Sequence, residues 1–216
     1  MLLIGMGLAQ LLATAMALLI AISVHEFSHA LMADELGDST PRSYGRLTLN
    51  PLAHLDPVGT LMMLFAGFGW GKPVPVNPYY LRNGPKAGMA MVSFAGPLSN
   101  LIVAALFAVP VRSGLITFSL SGGGVLPSLS QIIGSIIFFN VILAVFNLLP
   151  ISPLDGFKVA IGLLPSRYAF SMAQLEPYGP MILILLILLG RVGRVSILWA
   201  IMGPPTSFLL RLMLGA

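Results

Sequence analysis

His25, Glu26 and His29 lie within His25-Glu26-Phe27-Ser28-His29, and this spacing suits hydrolysis by a metal-activated water. On a helix, residues four apart share a face, so two imidazoles can grip one ion. The intervening carboxylate lies on the flank, where it can hold a metal-bound water without being a ligand. With three His and three Glu in 216 residues, one such match arises by chance in about 6 of ten thousand chains. The bland alternative is two histidines and a glutamate meeting at a helix end by accident. A catalytic zinc site takes three protein ligands and keeps a fourth position for water. The chain has no cysteine, so any metal must be held by His and carboxylate. Asp155 is the best third ligand, with Asp56 and His54 as weaker ones.

These groups must be positioned by a membrane protein. The chain is 57% hydrophobic and 8% charged, against about 25% charged in a soluble domain. The formal net charge is +4, yet the Lys and Arg residues are scattered without aromatic interleaving, which argues against a nucleic-acid partner. Loop positives in membrane proteins have an ordinary origin in topology. The expected fold is an all-α polytopic membrane protein of about 4–6 transmembrane helices, in one domain over residues 1–216, with a short β or re-entrant segment near residues 58–80. A cleaved signal peptide is not expected, because no positive residue precedes the first apolar run.

Residues 2–24 are almost wholly apolar, about one span. The helix is expected to continue through His29 to Leu36 and stop at Gly37. Ionisable groups one to two turns inside its end are a functional-site hypothesis by default. Residues 38–56 are polar and turn-rich. The apolar piece 58–68 reads as a re-entrant or interfacial hairpin, or else a short span. Lys72-Pro73-Val74-Pro75-Val76-Asn77-Pro78 must be extended, because proline is excluded from helix interiors. Pro73 and Pro75 silence one edge of that segment, while Val74 and Val76 keep backbone donors on the other. It reads either as a template for an unwound peptide or as a plain proline-rich turn.

Spans follow at 87–111, with Gly96-Pro97 and Asn100, and at 129–149, with Asn140 and Asn147 seven apart on one face. Pro150 and Pro153 should end that helix, leaving Asp155 in a sharp loop just beyond it. Residues 157–178 read as interfacial. The stretch 195–215 is apolar but split by Gly203-Pro204-Pro205, and the number of crossings after Pro180 stays open. Arg42, Arg46, Lys72, Arg82 and Lys86 lie between the first span and the 87–111 span, and Lys158 and Arg167 fall on the same side. The positive-inside rule puts that side in the cytoplasm and the N-terminus outside. Topology then brings the His pair and Asp155 to one depth near the cytoplasmic face. Glu26 would act as general base, with Asn147 or Asn140 as an amide donor beside the developing oxyanion. His54 reads as a loop histidine capping a turn, a substrate or gating contact, or a metal ligand. Asn100 and Asn140 also read as interhelical hydrogen-bond partners.

His25-Glu26-Phe27-Ser28-His29 and Asn147-Leu148-Leu149-Pro150-Ile151-Ser152-Pro153-Leu154-Asp155-Gly156 together resemble the paired motifs of site-2 proteases, the intramembrane zinc metalloproteases. Gly45-Arg46-Leu47-Thr48-Leu49-Asn50-Pro51, Gly69-Trp70-Gly71-Lys72-Pro73-Val74-Pro75-Val76 and Gly96-Pro97-Leu98-Ser99-Asn100 carry the look of the compact prokaryotic branch. The resemblance covers about residues 20–160. It implies a three-helix catalytic core, within about residues 2–160, in a prokaryotic inner membrane. It implies Zn2+ held by His25, His29 and Asp155, Glu26 as general base, and Asn147 near the catalytic water or substrate carbonyl. The implied substrate is a membrane-anchored protein, cut within or near its span, in contact with the lipid bilayer. Val74, Val76 and Asn140 are the expected substrate contacts. Ser152 stands where proline is the commoner residue. No PDZ-like or nucleotide-sensing module is expected in this length. The competing class is a non-proteolytic protein that binds metal for transport or holds membrane partners as a scaffold.

Overall fold

The computed structural model describes residues 7–59, 62, 69–122, 124–192 and 196–215. Helix α1 (Leu8–Glu35) buries Ala9, Ala13, Ala17, Ala21, His25, His29 and Ala33, one residue every four. That ridge is small until it reaches the two imidazoles, so a neighbouring helix can approach closely. The helix stops where the sequence indicates. Gly37 adopts φ 106°, and the N–H groups of Gly37 and Asp38 donate to the carbonyls of Asp34 and Ala33. A left-handed residue in that position favours glycine, which has no Cβ to clash.

Helix α2 (Gly84–Arg112) carries a matching ridge: Gly88, Val92, Gly96, Asn100, Ala104 and Ala108 are all buried. Pro97 and Pro110 lie inside it, a situation membrane helices tolerate when neighbours satisfy the freed carbonyls. Helix α3 (Leu129–Asn147) opens on a capping box, in which the Gln131 N–H donates to Ser128 Oγ and the Ser128 N–H to Gln131 Oε1. Each of these three helices packs on the other two. Beyond Asn100, Ala104, Ala108, Ile133, Ile137 and Val141 belong to one apolar core with Leu183 and Met202.

Four shorter or later helices follow: α4 (Asp155–Leu163), α5 (Ser166–Ala173), α6 (Gly179–Val192) and α7 (Ile197–Leu214). Asp155 is therefore not in a loop but is the first residue of a helix, after Leu154 in extended conformation. The stretch 195–215 is not split either. Helix α7 runs through Gly203-Pro204-Pro205, because two prolines remove only two backbone donors, which an apolar helix beside partners can forgo. The Arg112 guanidinium donates to the Leu212 carbonyl at 2.8 Å and caps the last turn of α7. Among the described residues, five segments are long and apolar enough to cross a membrane: Leu8–Glu35, Gly84–Arg112, Leu129–Asn147, Ser166–Gly190 and Ile197–Leu214. The protein is an all-α polytopic membrane protein.

Most of the short apolar piece at 58–68 lies outside the described residues. Residues 72–77 are extended as expected, and among the described residues no strand forms; Leu55 and Gly71 make an isolated antiparallel bridge.

Candidate metal centre

Helical periodicity puts Leu18, Ile22, His25, Glu26 and His29 on one wall of a cavity of about 470 Å³. The end of α3 and the start of α4 form another wall, with Asn147, Asp155 and Lys158. Gly69 to Gly71, Pro73, Val74 and Val76 form a third. Asp155 Oδ2 lies 3.0 Å from His25 Nε2 and 3.2 Å from His29 Nε2. The two rings stand at 89° with centroids 4.6 Å apart. One ligand atom from each of the three residues lies within 4.8 Å of the other two.

The chemistry of these donors fits a metal ion. His29 Nδ1 sits 2.7 Å from the Val92 carbonyl, which can only accept, so Nδ1 carries a proton. His25 Nδ1 sits 2.7 Å from Asn100 Oδ1. The orientation of that amide is fixed, because its Nδ2 donates to Ala21 O and Asn140 Oδ1. Both rings therefore hold their proton on the side away from Asp155, and both Nε2 lone pairs face a carboxylate oxygen. Three facing acceptors repel unless a cation sits among them, whether a proton on one ring or a metal ion. The N···O separations are close to the edge of a tetrahedron with ~2.0–2.1 Å bonds, roughly 3.3 Å. Such outer partners on each ring nitrogen are what metal-ligating histidines ordinarily have. Burial alone would raise the Asp155 pKa. Where that cation is a proton on His29, the charge of the imidazolium and its hydrogen bond outweigh this and hold the carboxyl well below the usual carboxylate range.

Backbone packing sets the geometry. A Cβ on Gly96 would come 2.5 Å from His29 Nε2 and 2.7 Å from His25 Cε1. A Cβ on Gly156 would come 2.2 Å from the Leu148 carbonyl, so α4 starts pressed against the end of α3. Lys86 Nζ donates to the Leu164 carbonyl at 2.6 Å and ties the end of α4 to α2. A Cβ on Gly71 would lie 3.5 Å from Glu26 Oε1, which puts the extended segment beside the expected base.

Two buried charged groups pin that segment. Arg46 donates to the carbonyls of Ala53 at 2.5 Å and Pro73 at 2.8 Å. Asp38 is fully buried and accepts from Thr40 and from the Asn77 N–H at 2.6 Å. Between those anchors, among the described residues, the N–H groups of Val74 and Val76 have no hydrogen-bond partner.

Over 199 aligned residues the chain is 37% identical to the "Putative zinc metalloprotease YwhC" of Bacillus subtilis (strain 168), covering 90% of this chain and 88% of that protein. The chain belongs to this zinc metalloprotease family. The "Putative zinc metalloprotease Rip2" of Mycolicibacterium smegmatis is 30% identical over 82% of this chain and 66% of its own length. Its namesake from Mycobacterium tuberculosis (strain H37Rv) is 32% identical over 64% of this chain and 52% of its own length. No family model and no solved structure matches.

Within this metalloprotease, the tertiary structure brings together His25, Glu26, His29, Asn147, Asp155, Val74 and Val76 around one cavity. Asn140 is not among them. It is fully buried and bonds Asn100 and the Ile136 carbonyl, as an interhelical hydrogen-bond partner would. His54 is fully buried, with Nε2 2.7 Å from the Thr48 carbonyl, as a loop histidine would be. Asp56 accepts from the Gly59 N–H at 2.7 Å, consistent with starting a turn. Sequence reasoning missed the packing roles of Gly96 and Gly156. Glycine in a helix has no side chain to signal by, and only the i+4 spacing of Gly88, Val92, Gly96 and Asn100 could have hinted at a contact ridge.

Proposed function

We propose that this protein is an intramembrane metalloprotease of the site-2 protease type, cutting membrane-anchored proteins within or near their transmembrane segment. The observation that carries this reading is the facing of His25, His29 and Asp155 across a cavity that also exposes Glu26, inside a bundle of membrane-spanning length. His25, His29 and Asp155 would hold Zn2+, which suits two imidazoles and a carboxylate with one open position. Zinc would supply a water acidic enough to yield hydroxide near pH ~7 and a Lewis acid for the peptide carbonyl. Glu26, on the flank of the His pair, would accept a proton from the attacking water and pass it to the leaving amine. Asn147 Nδ2 donates to the Leu143 carbonyl at 3.1 Å, and its amide lies at the cavity wall, where it can orient the substrate carbonyl.

A helical substrate hides its peptide bonds, so cleavage needs local unwinding. The N–H groups of Val74 and Val76 then pair with the unwound strand as an added edge. The chain acts as one membrane-embedded unit, with residues of about 2–160 as the catalytic core. Its setting is the prokaryotic cell membrane, with the cavity toward the cytoplasmic face, following the Lys and Arg distribution.

The test is incubation of the purified protein with single-span substrates, with and without a chelator, and mapping of any cut by mass spectrometry. Cleavage that is chelator-sensitive and absent in Glu26→Gln supports the reading. A zinc-loaded protein that moves zinc across vesicles with Glu26→Gln unchanged supports the transporter class instead.

A further inference from the structure

We propose that Asn100 is the positioning residue of the metal site: its carbonyl oxygen fixes His25 with Nδ1 protonated and Nε2 open, and Asn140 holds Asn100 in that orientation. The direction of the whole chain is set by two backbone carbonyls. Ile136 O can only accept, so the Asn140 group 2.8 Å from it is Nδ2. Asn140 Oδ1 is thereby turned toward Asn100, which must present Nδ2 at 2.8 Å. The second hydrogen of that Nδ2 goes to Ala21 O at 3.0 Å. What remains for His25 is Asn100 Oδ1 at 2.7 Å, an acceptor, so the ring proton is on Nδ1. Both asparagines are 0% exposed, so the hydrogen-bond chain is shielded from solvent.

This chain does for His25 what the Val92 carbonyl does for His29, but through side chains from α2 and α3. The position of one ligand is thus tied to the packing of three helices. A carboxylate in place of Asn100 would accept from His25 equally well. It would also add a negative charge behind a site that already holds Asp155 and Glu26, at a depth where buried charge is costly. A neutral amide orients the ring without that charge.

The inference rests on the metal-binding reading and not on proteolysis, and its readout is zinc affinity. The full-length protein in detergent is titrated with zinc against a competing chelator, beside thermal unfolding of the zinc-free form. Asn100→Leu should bind zinc about 10- to 100-fold more weakly, the range for loss of a metal ligand's outer partner. Asn100→Asp keeps the acceptor and should bind zinc at least as tightly as the parent. It should nonetheless unfold at a lower temperature, because its donors to Ala21 and Asn140 are gone. Asn140→Leu leaves His25 untouched and should give a smaller loss of affinity, which keeps the proposal testable if Asn100→Leu does not fold. Parental affinity in Asn100→Leu or in Asn140→Leu overturns the proposal. So does an Asn100→Asp protein that loses zinc in step with its stability, since a merely structural asparagine predicts that pattern.

Discussion

Gly96→Ala is the sharpest perturbation of the site, because it adds one carbon and replaces no ligand. The new Cβ would stand 2.5 Å from His29 Nε2, 2.6 Å from His29 Cε1 and 2.7 Å from His25 Cε1, where ordinary contact begins at 3.4 Å. The rings would have to retreat by roughly 0.9 Å, several times the ~0.2 Å latitude of a metal-ligand bond. They cannot swing aside freely, since Nδ1 of each is held at 2.7 Å by Val92 O or Asn100 Oδ1. Zinc affinity should therefore fall by more than about 100-fold, beyond the usual loss of an outer partner. Folding should suffer far less. Overpacking costs about 1–3 kcal/mol, offset by about 1 kcal/mol of helix propensity gained over glycine. Gly203→Ala is the matched control, because its Cβ meets Trp199 Nε1 at 3.6 Å, an ordinary contact. The assay is zinc content by elemental analysis after dialysis, with chelator competition and thermal unfolding in detergent. A Gly96→Ala protein that keeps one zinc per chain at parental affinity would refute the argument that the backbone of α2 sets the ligand geometry.

Three further outcomes are expected. Glu26→Gln should retain zinc and lose about 100-fold or more of any peptidase activity, as the loss of a general base does; a fully active variant would remove Glu26 from the mechanism. Asp155→Ala should lose zinc while the helical content by circular dichroism is unchanged, whereas zinc retained at parental affinity would mean that Asp155 is not the third ligand. Val74→Pro and Val76→Pro should each slow cleavage with zinc still bound, because each deletes a backbone donor that has no partner among the described residues; turnover equal to the parent would rule out edge pairing.

The sequence alone pointed to a zinc metalloprotease in a membrane. Two histidines four apart with a glutamate between them carry their meaning in the helical repeat, and 57% hydrophobic residues in long runs are more than a water-soluble surface accommodates. Proline and glycine also spoke locally: Gly37 ended α1, and Pro73 and Pro75 kept their segment extended. Local signals failed where a long-range contact overrides them. The Gly203-Pro204-Pro205 step did not break α7, because neighbours rather than the chain itself decide whether lost backbone bonds matter. Asn140 and Asn147, seven apart on one face, look alike in sequence. Only tertiary structure sent Asn147 to the cavity and Asn140 into a hydrogen-bond chain with Asn100. The meeting of Asp155 with His25 across 130 residues, and the bare backbone of Gly96 that makes room for it, depend on which helix faces which. The side-chain pattern of each helix offers a face to bury, but the choice of partner for that face is made only when all three helices are packed together.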